Sequence, residues 1–287
     1  MTENGRPPIK SIVGGNRKEL LPMSWTEYLS FPALNGSVIV KGRKSLLHLK
    51  SEWDNGGEDS DAMQFGRMLH CLLFEPREVE SRYRPWTGRR AGNEYRDYCE
   101  DAAAAGAEAV KATGEYSLES ALEAAPSYLG NAKVQALIKA GQAEQTILWP
   151  ECGLQCKGRL DWVSTAEHVL TDVKSAAEIE DRLFGKAFFR YGYDLKLGLY
   201  RRWLQLVTGE QWPVQVIVLE NKRPYDVAIV PVPDAVLDQG VDKALRIIER
   251  VAVAIEHDYW PGVARGDYYP LAVPFFEMQE EVEEFTG

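Results

Sequence analysis

The pattern of hydrophobic and polar positions divides the chain into a helical first half and a strand-rich second half. In the first half, apolar residues recur at steps of three and four, most clearly over 65–72, which predicts a helix with one apolar face. Ser60 or Asp61 can cap this helix, and Pro76 ends it. Further helices are predicted over 22–30, from Ser37, over 93–111, over 117–125, and to about 140 after an interruption at Pro126.

Beyond residue 143, short runs that alternate apolar and polar residues predict strands instead. Three strands over 144–149, 154–163 and 168–174 are separated by tight turns. A helix over 194–207, two strands over 214–219 and 227–232, and a helix from Asp234 to about 257 follow. This order predicts an α/β (α+β) fold, with a mixed central sheet flanked by helices and an N-terminal helical elaboration.

The length of 287 residues fits one large domain. Residues 1–20 contain Gly14-Gly15 and few apolar side chains, so we expect a flexible arm there and a single domain over 21–287. The last elements of that domain are the strands and helix over 213–257. The sequence contains no apolar run long enough for a membrane span and no apolar secretion signal, so a cytoplasmic location is expected.

The net charge of −10 argues against a protein that coats nucleic acid over its whole surface. Local contact with DNA needs only a basic strip, and basic residues do cluster, for example at 41–44, 82–90 and 201–202. The four cysteines include no Cys-x-x-Cys pair, which favours ordinary thiols over a metal site. Composition therefore does not exclude a protein that contacts nucleic acid locally.

Two short stretches, 158–161 and 172–175, carry candidate chemistry. Side chains on a strand alternate between its faces, so Asp172 and Lys174 share one face. The turn between the second and third strands folds them together and brings Asp161 nearly opposite Asp172. Two carboxylates and one ammonium group are therefore predicted to converge on one patch of the sheet.

Such a patch suits Mg²⁺, which prefers oxygen ligands. The carboxylates of Asp161 and Asp172 and the carbonyl oxygen of Val173 could supply them. Lys174 could then position the attacking water in a metal-assisted hydrolysis. The alternative is a salt bridge between Asp172 and Lys174 on a solvated face, but Asp161 weakens it, because burying these charges together is costly without a metal or tight pairing.

The pattern resembles the PD-(D/E)xK nuclease superfamily, and within it the RecE-type (exodeoxyribonuclease VIII) and RecB-type exonucleases and, more distantly, lambda exonuclease. Four motifs over 65–200 carry the resemblance. They are Gly66–His70 for the Gly-x-x-x-His helix, Gly158–Asp161 for the Gly-Arg-x-Asp strand, Asp172–Ser175 for the Asp-x-Lys-Ser/Thr strand, and Tyr191–Tyr200 for the Tyr-Gly-Tyr…Gln-x-x-x-Tyr helix. The resemblance implies a restriction-endonuclease-like core.

The resemblance also implies roles for individual residues. His70 becomes a metal ligand, where a buried core histidine would be the alternative. Glu144, on the strand before the hairpin, becomes a further active-site acid. The implied metal ligands are His70, Asp161, Asp172 and Val173. The implied catalytic residues are Lys174, Asp161, Asp172 and Glu144, and the implied DNA contacts are Arg67, Arg159, Ser175, Tyr193, Lys196 and Tyr200.

One position departs from the family pattern, because Lys196 stands where the family has Gln. A lysine can still bind a phosphate as a point charge, and the change removes no metal ligand. We therefore expect an active enzyme. The alternatives are a structure-specific endonuclease with the same core and a catalytically silent DNA-binding module.

The closest resemblance implies an Mg²⁺-dependent exonuclease, with Mn²⁺ able to substitute, that acts 5′-to-3′ on linear double-stranded DNA in phage or prophage recombination. It further implies a ring-shaped homo-oligomer, a single-strand annealing protein as partner, and a bacterial host cytoplasm. The iron–sulfur branch of the superfamily uses three cysteines after the nuclease motifs. No cysteine follows Cys156, so an iron–sulfur cluster is not expected.

Overall fold

The computed structural model describes residues 6–57, 59–139 and 141–264. Its helices are α1 (Trp25–Ser30), α2 (Gly36–Lys41), α3 (Leu46–Asn55), α4 (Asp61–Phe74), α5 (Val79–Arg82), α6 (Asn93–Ala104), α7 (Leu118–Leu129), α8 (Ala132–Leu137), α9 (Asp181–Arg190), α10 (Tyr193–Thr208) and α11 (Asp234–His257). Its strands are β1 (Glu19–Pro22), β2 (Leu34–Asn35), β3 (Tyr83–Trp86), β4 (Glu108–Lys111), β5 (Gln142–Glu151), β6 (Leu154–Ser164), β7 (Val169–Ala176), β8 (Val214–Glu220) and β9 (Val227–Val232). None of the helices described is long and apolar enough to cross a membrane.

The central sheet has the strand order β1-β5-β6-β7-β8-β9, with the short β2 paired to β6. Strands β5, β6 and β7 form an antiparallel meander, as the tight turns in the sequence predict. Strand β8 runs parallel to β7 because α9 and α10 form the crossover between them. The mixed sheet flanked by helices confirms the predicted fold class.

Two hydrophobic cores cover the two faces of this sheet. Val216 and Val218 on β8 face the first core, which contains α2, α3, α10 and α11. Ile217 and Leu219 on the same strand face the second core, which contains α4 and α7. This alternation is the period-two pattern of a strand that is buried on both faces. The sheet is therefore the middle layer of three.

Helices α10 and α11 approach closely because glycines lie where they cross. A Cβ atom on Gly240 would lie 2.1 Å from the carbonyl oxygen of Asp194, and one on Gly198 would lie 2.5 Å from that of Leu237. The buried Asp194 carboxylate is compensated by Lys243 of α11, with Nζ 2.9 Å from Oδ2. This contact fixes α10, which carries the last of the four motifs, against the core.

The N-terminal segment is more ordered over its described part than the predicted flexible arm. Ile9 and Ile12 lie on a short 3-10 helix and are buried in the first core, since their three-residue spacing places both on one side. Strand β1 then pairs with β5. Residues 1–5 of the predicted arm and residues 265–287 of the predicted domain lie outside the described residues.

Two helix predictions are wrong in their extent. The helix from 93 ends at Ala104, and the chain turns at Gly106 (φ +75°) into β4, which pairs with β3. Strand pairing there outweighs the helix propensity of the alanine-rich sequence. Pro126 does not interrupt its helix, because α7 continues to Leu129. The buried residues of α7 pack in the second core, and this packing offsets the hydrogen bond that proline removes.

Candidate active site

The site lies where β6 and β7 diverge. The two strands are paired as far as Trp162 and Thr171, and the next position on each strand carries an aspartate. Beyond that point Asp161 Oδ2 accepts a hydrogen bond of 2.8 Å from the Val173 N–H. A side chain thus replaces the backbone partner that β7 loses. Asp161 and Asp172 lie side by side, as the strand alternation predicts.

The Lys174 ammonium lies between the two aspartates. Its Nζ forms an ion pair with Asp172 Oδ2 and lies 3.8 Å from Asp161 Oδ2. It also donates a 3.0 Å hydrogen bond to the Val173 carbonyl oxygen. The side chains of Lys174, Asp161 and Asp172 are 13%, 10% and 2% exposed. The alternative of a solvated surface salt bridge is therefore wrong.

Helix α4 brings His70 to the same place from the other layer. Its Nε2 lies 3.0 Å from the Val173 carbonyl oxygen and 3.8 Å from Asp161 Oδ2. Its Nδ1 lies 4.0 Å from Glu144 Oε1. His70 is therefore in contact with the strand motifs, although more than 60 residues separate α4 from β5 in the chain.

Glu144 enters the site through an irregular position in β5. Its φ of +55° is uncommon for a residue other than glycine. The positions on both sides of it pair with β6, while Glu144 itself, opposite Asp161, does not. Unfavourable backbone conformations of this kind tend to occur at functional sites. This backbone conformation directs the Glu144 carboxylate towards His70 on one side and Arg159 Nε on the other.

His70, Glu144 and Asp161 form a group that could hold a metal ion, since one ligand atom from each lies within 4.8 Å of the others. Asp172 lies next to this group, on the other side of Lys174. Carboxylate oxygens suit Mg²⁺ and Mn²⁺, and imidazole suits the transition metals. The donor set therefore fits a divalent cation.

The charges of these residues shift one another's pKa. Burial raises the pKa of Asp172, and the charge of Asp161 raises it further. Burial acts in the same way on Asp161, but His70 and Lys174 outweigh it and hold the pKa of that carboxyl below its usual value. Burial alone would lower the pKa of His70, but Asp161 and Glu144 outweigh it, so the pKa of the imidazole is raised. Such opposed shifts in neighbouring groups are typical of functional sites.

Helix α10 contributes three of the predicted residues from the first-core side. Lys174 Nζ lies 5.2 Å from the ring centre of Tyr193, and Lys196 Nζ lies 5.4 Å from that of the buried Tyr200. Burial would lower the pKa of Lys196, but Asp172 and Asp161 outweigh it, so the pKa is raised. Lys196 thus faces the two carboxylates of the site.

The remaining predicted residues lie at the edges of the site. Ser175 follows Lys174 on β7, and a Cβ atom on Gly66 of α4 would lie 3.2 Å from its Oγ. Arg67 forms ion pairs with Asp59 and Glu108, so two carboxylates compensate its charge. Arg159 pairs with Glu144 and donates a 3.0 Å hydrogen bond to the Met23 carbonyl oxygen.

Sequence reasoning missed two aromatic residues beside the site. Trp25 and Tyr28 of α1 stack on each other, and the Arg159 guanidinium lies 5.4 and 5.7 Å from their ring centres. The available signal was the capping box of Ser24 and Glu27, which fixes a helix start directly before a tryptophan. The predicted helix over 22–30 included both rings without assigning them a role.

Comparison with known proteins gives a family and a fold. The family described as "PDDEXK-like domain of unknown function (DUF3799)" matches residues 42–268. A comparison with curated proteins finds no match. The crystal structure of a "Putative exonuclease" from Eubacterium rectale is similar, with a TM-score of 0.62 and 14% identity over 91% of this chain and 98% of that chain. The structure of SSO0001 has 12% identity over 73% of this chain and 83% of that chain. Its TM-score of 0.28 is too low to indicate a shared fold.

The family match covers well over half of the chain and contains the whole site, from His70 of α4 to Lys196 of α10. The mixed sheet and its flanking helices agree with that match, and the similarity to the Eubacterium rectale structure supports the fold alone. The chain therefore belongs to the PDDEXK-like family DUF3799, within the PD-(D/E)xK nuclease superfamily.

Proposed function

We propose that the protein is a divalent-metal-dependent deoxyribonuclease that hydrolyses phosphodiester bonds. The observation that carries the proposal is the partly buried group of His70, Glu144 and Asp161 next to the Lys174 ammonium. Hydrolysis of a phosphate ester needs an activated water and stabilisation of developing negative charge, and metal ligands beside a cationic group can supply both.

His70, Glu144 and Asp161 would hold the cation, with Asp172 as a further ligand. The Val173 carbonyl oxygen would serve either as a ligand or as the acceptor that orients its neighbours. Bound Mg²⁺ or Mn²⁺ would supply Lewis acid chemistry at the scissile phosphate. Lys174 Nζ would hold the attacking water in position.

The ammonium group of Lys174 would also stabilise the negative charge that develops on the phosphate oxygens. The charge of Lys196 acts on the same carboxylates from the side of α10, so it could attract the DNA backbone as a point charge. The further DNA contacts would come from Arg159, Ser175 and Tyr193, and from Arg67 once its carboxylate partners release it. Tyr200 is buried, so it would support Lys196, whose Nζ lies 5.4 Å from its ring centre, rather than touch DNA itself.

The four motifs also support a finer proposal, namely a 5′-to-3′ exonuclease on linear double-stranded DNA in phage or prophage recombination. The word exonuclease in the name of the Eubacterium rectale protein points in the same direction. A ring-shaped homo-oligomer with a single-strand annealing protein as partner follows from the same resemblance. In a ring, a chain with a net charge of −10 could still line a basic channel.

The test is digestion of end-labelled linear duplex DNA with Mg²⁺, with Mn²⁺ or with chelator. Closed circular DNA of the same sequence runs in parallel. Lys174→Ala is the test variant, and Lys222→Ala, an exposed lysine on the β8–β9 turn, is the matched control. We expect metal-dependent loss of linear DNA alone, abolished by Lys174→Ala and unchanged by Lys222→Ala.

The other outcomes separate the alternatives. Cleavage of the closed circles would identify an endonuclease with the same core. Absence of hydrolysis with every divalent cation, together with retained DNA binding, would favour a catalytically silent module. Lys196→Gln, which introduces the family's residue, would then be the first variant to test for restored hydrolysis. Sedimentation as a monomer would contradict the proposed ring.

A further inference from the structure

Helix α1 presents an exposed apolar surface beside the charged site. The side chain of Trp25 is 54% exposed, and Leu29, one helical turn further, is 41% exposed. These two positions share one side of the helix. Tryptophan combines a large apolar ring with a polar edge and is enriched at binding surfaces. Trp25 and Leu29 therefore form an apolar surface beside the candidate site on which a ligand could bind.

The indole is held in a fixed orientation. The capping box of Ser24 and Glu27 fixes the start of α1. Trp25 stacks on Tyr28 with ring centres 5.7 Å apart and an angle of 14° between the planes. Lys157 Nζ bonds the carbonyl oxygens of Tyr28 and Phe31 and so ties the helix to β6. A pre-ordered ring loses little freedom when a ligand binds.

One side chain connects this ring to the candidate metal group. The Arg159 guanidinium lies 5.4 Å from the centre of the Trp25 ring and forms an ion pair with Glu144. Glu144 Oε1 in turn lies 4.0 Å from His70 Nδ1. A phosphate placed at the metal group would therefore bring an adjoining nucleoside close to the indole.

We infer that Trp25 is a stacking platform for the base next to the scissile phosphate, and that it makes the enzyme select strand ends. The inference rests on the proposed nuclease function. Aromatic side chains stack on nucleobases of any sequence, because every base has a π-face. The Arg159 guanidinium, 5.4 Å from the ring centre, would place positive charge near the adjoining phosphate.

The preference for ends follows from the stacking of DNA itself. Inside a duplex, neighbouring base pairs cover both faces of each base, so a rigid indole finds no free face. The terminal base has one free face. Trp25 is thus a specificity-determining residue, and it would not touch the reacting atoms.

The experiment uses two linear duplexes that differ only in the place of one abasic residue. In one the abasic residue is terminal on the strand that is degraded, and in the other it lies ten pairs inward. Wild type, Trp25→Ala, Trp25→Phe and Tyr259→Ala are compared at low DNA concentration. Tyr259 is a matched control, being an exposed aromatic residue (68%) that follows α11.

We expect the initial hydrolysis rate of wild type to be about 10-fold lower on the terminal abasic duplex than on the internal one, mainly because KM is higher. Trp25→Ala should hydrolyse both duplexes at the same low initial rate. Trp25→Phe and Tyr259→Ala should keep the wild-type discrimination. Equal rates of wild type on both duplexes, or full discrimination by Trp25→Ala, would overturn the inference while leaving the nuclease proposal intact. If Trp25→Ala keeps full discrimination and its sedimenting mass differs from that of wild type, Trp25 would belong to a protein–protein contact instead.

Failure of the nuclease proposal gives a different result. If wild type hydrolyses neither duplex, the Kd of each fluorescein-labelled duplex is measured by anisotropy instead. The inference then requires weaker binding of the terminal abasic duplex by wild type and equal binding of both duplexes by Trp25→Ala. Equal binding of both duplexes by wild type would overturn it.

Discussion

Replacing Gly158 by alanine would place a methyl group in the contact between β6 and α10. Gly158 begins the motif that ends at Asp161. A Cβ atom at this position would lie 2.4 Å from Cε1 of Tyr200 and 3.1 Å from Cγ2 of Ile147. Tyr200 and Ile147 are 2% and 0% exposed, so neither side chain can swing into solvent. The backbone of β6 or the whole of α10 would have to move.

The size of the effect follows from this overlap. Non-bonded carbon atoms prefer a separation of about 3.5 Å or more, so the methyl group would be about 1 Å too close to the tyrosine ring. Overpacking of this kind costs about 1–3 kcal/mol, and each kcal/mol lowers the Tm of a large domain by roughly 2–4 °C. A shift of about 1 Å in Asp161 could also reduce catalysis by about 10²-fold.

Thermal unfolding followed by circular dichroism tests the stability effect, and DNA hydrolysis well below the Tm tests the effect on the site. Gly185→Ala is the matched control, because a Cβ atom there meets no atom within 4 Å and an alanine in α9 should stabilise it by about 0.5–1 kcal/mol. The Gly158→Ala/Tyr200→Ala double variant should lose less stability than the two single changes together. A Gly158→Ala protein with the wild-type Tm and hydrolysis rate would refute the reasoning.

Three further predictions concern charge. His70→Ala should weaken Mn²⁺ binding in calorimetry by at least about 10-fold, because the proposed nitrogen ligand would be lost; unchanged affinity would contradict the proposal that His70 is a ligand. Lys196→Gln should strengthen Mn²⁺ binding several-fold, since the lysine charge faces the carboxylates that would hold the cation; weaker binding would mean that Lys196 organises the site. Burial lowers the pKa of Lys157 to about 7, so between pH 7 and its ordinary value the unfolded chain binds more protons at this group than the folded chain does, and the contribution of Lys157 to stability should rise with pH by roughly 3–5 kcal/mol. The free energy of unfolding of Lys157→Met, measured by denaturant titration at several pH values, should lack this contribution. The same pH dependence in both proteins would contradict the lowered pKa of Lys157.

The strands that were predicted well are those set by local pattern. Strands β6 and β7 alternate and are joined by a tight turn, so their register follows from counting residues. The local pattern of β4 predicts a continuation of the preceding helix, because its strand partner β3 lies more than 20 residues earlier in the chain. The burial of Ile12 likewise depends on a distant contact with the core. Local pattern does not contain such contacts.

The site divides in the same way. Asp161, Asp172 and Lys174 could be placed together from strand alternation and one turn alone. The position of His70 beside them depends on how α4 packs on the sheet, and only the motif resemblance predicted it; the structure confirms the proximity, with Nε2 3.8 Å from Asp161 Oδ2. The twisted backbone of Glu144 has no signature in the sequence, since β5 has ordinary pairing on both sides of it.

The Val173 carbonyl oxygen, which the strand pattern suggests only as a metal ligand, also contacts two side chains of the site. Both His70 Nε2 and Lys174 Nζ lie 3.0 Å from it, and a carbonyl oxygen has two lone pairs. In the tautomer that carries hydrogen on Nε2, this bond fixes the imidazole plane and leaves Nδ1 as a lone-pair donor on the side of Glu144. Histidine ligands of metals commonly donate their other N–H to a backbone carbonyl in this way. Because the same oxygen accepts a hydrogen bond from the Lys174 ammonium, one backbone atom positions both the proposed ligand and the cationic group.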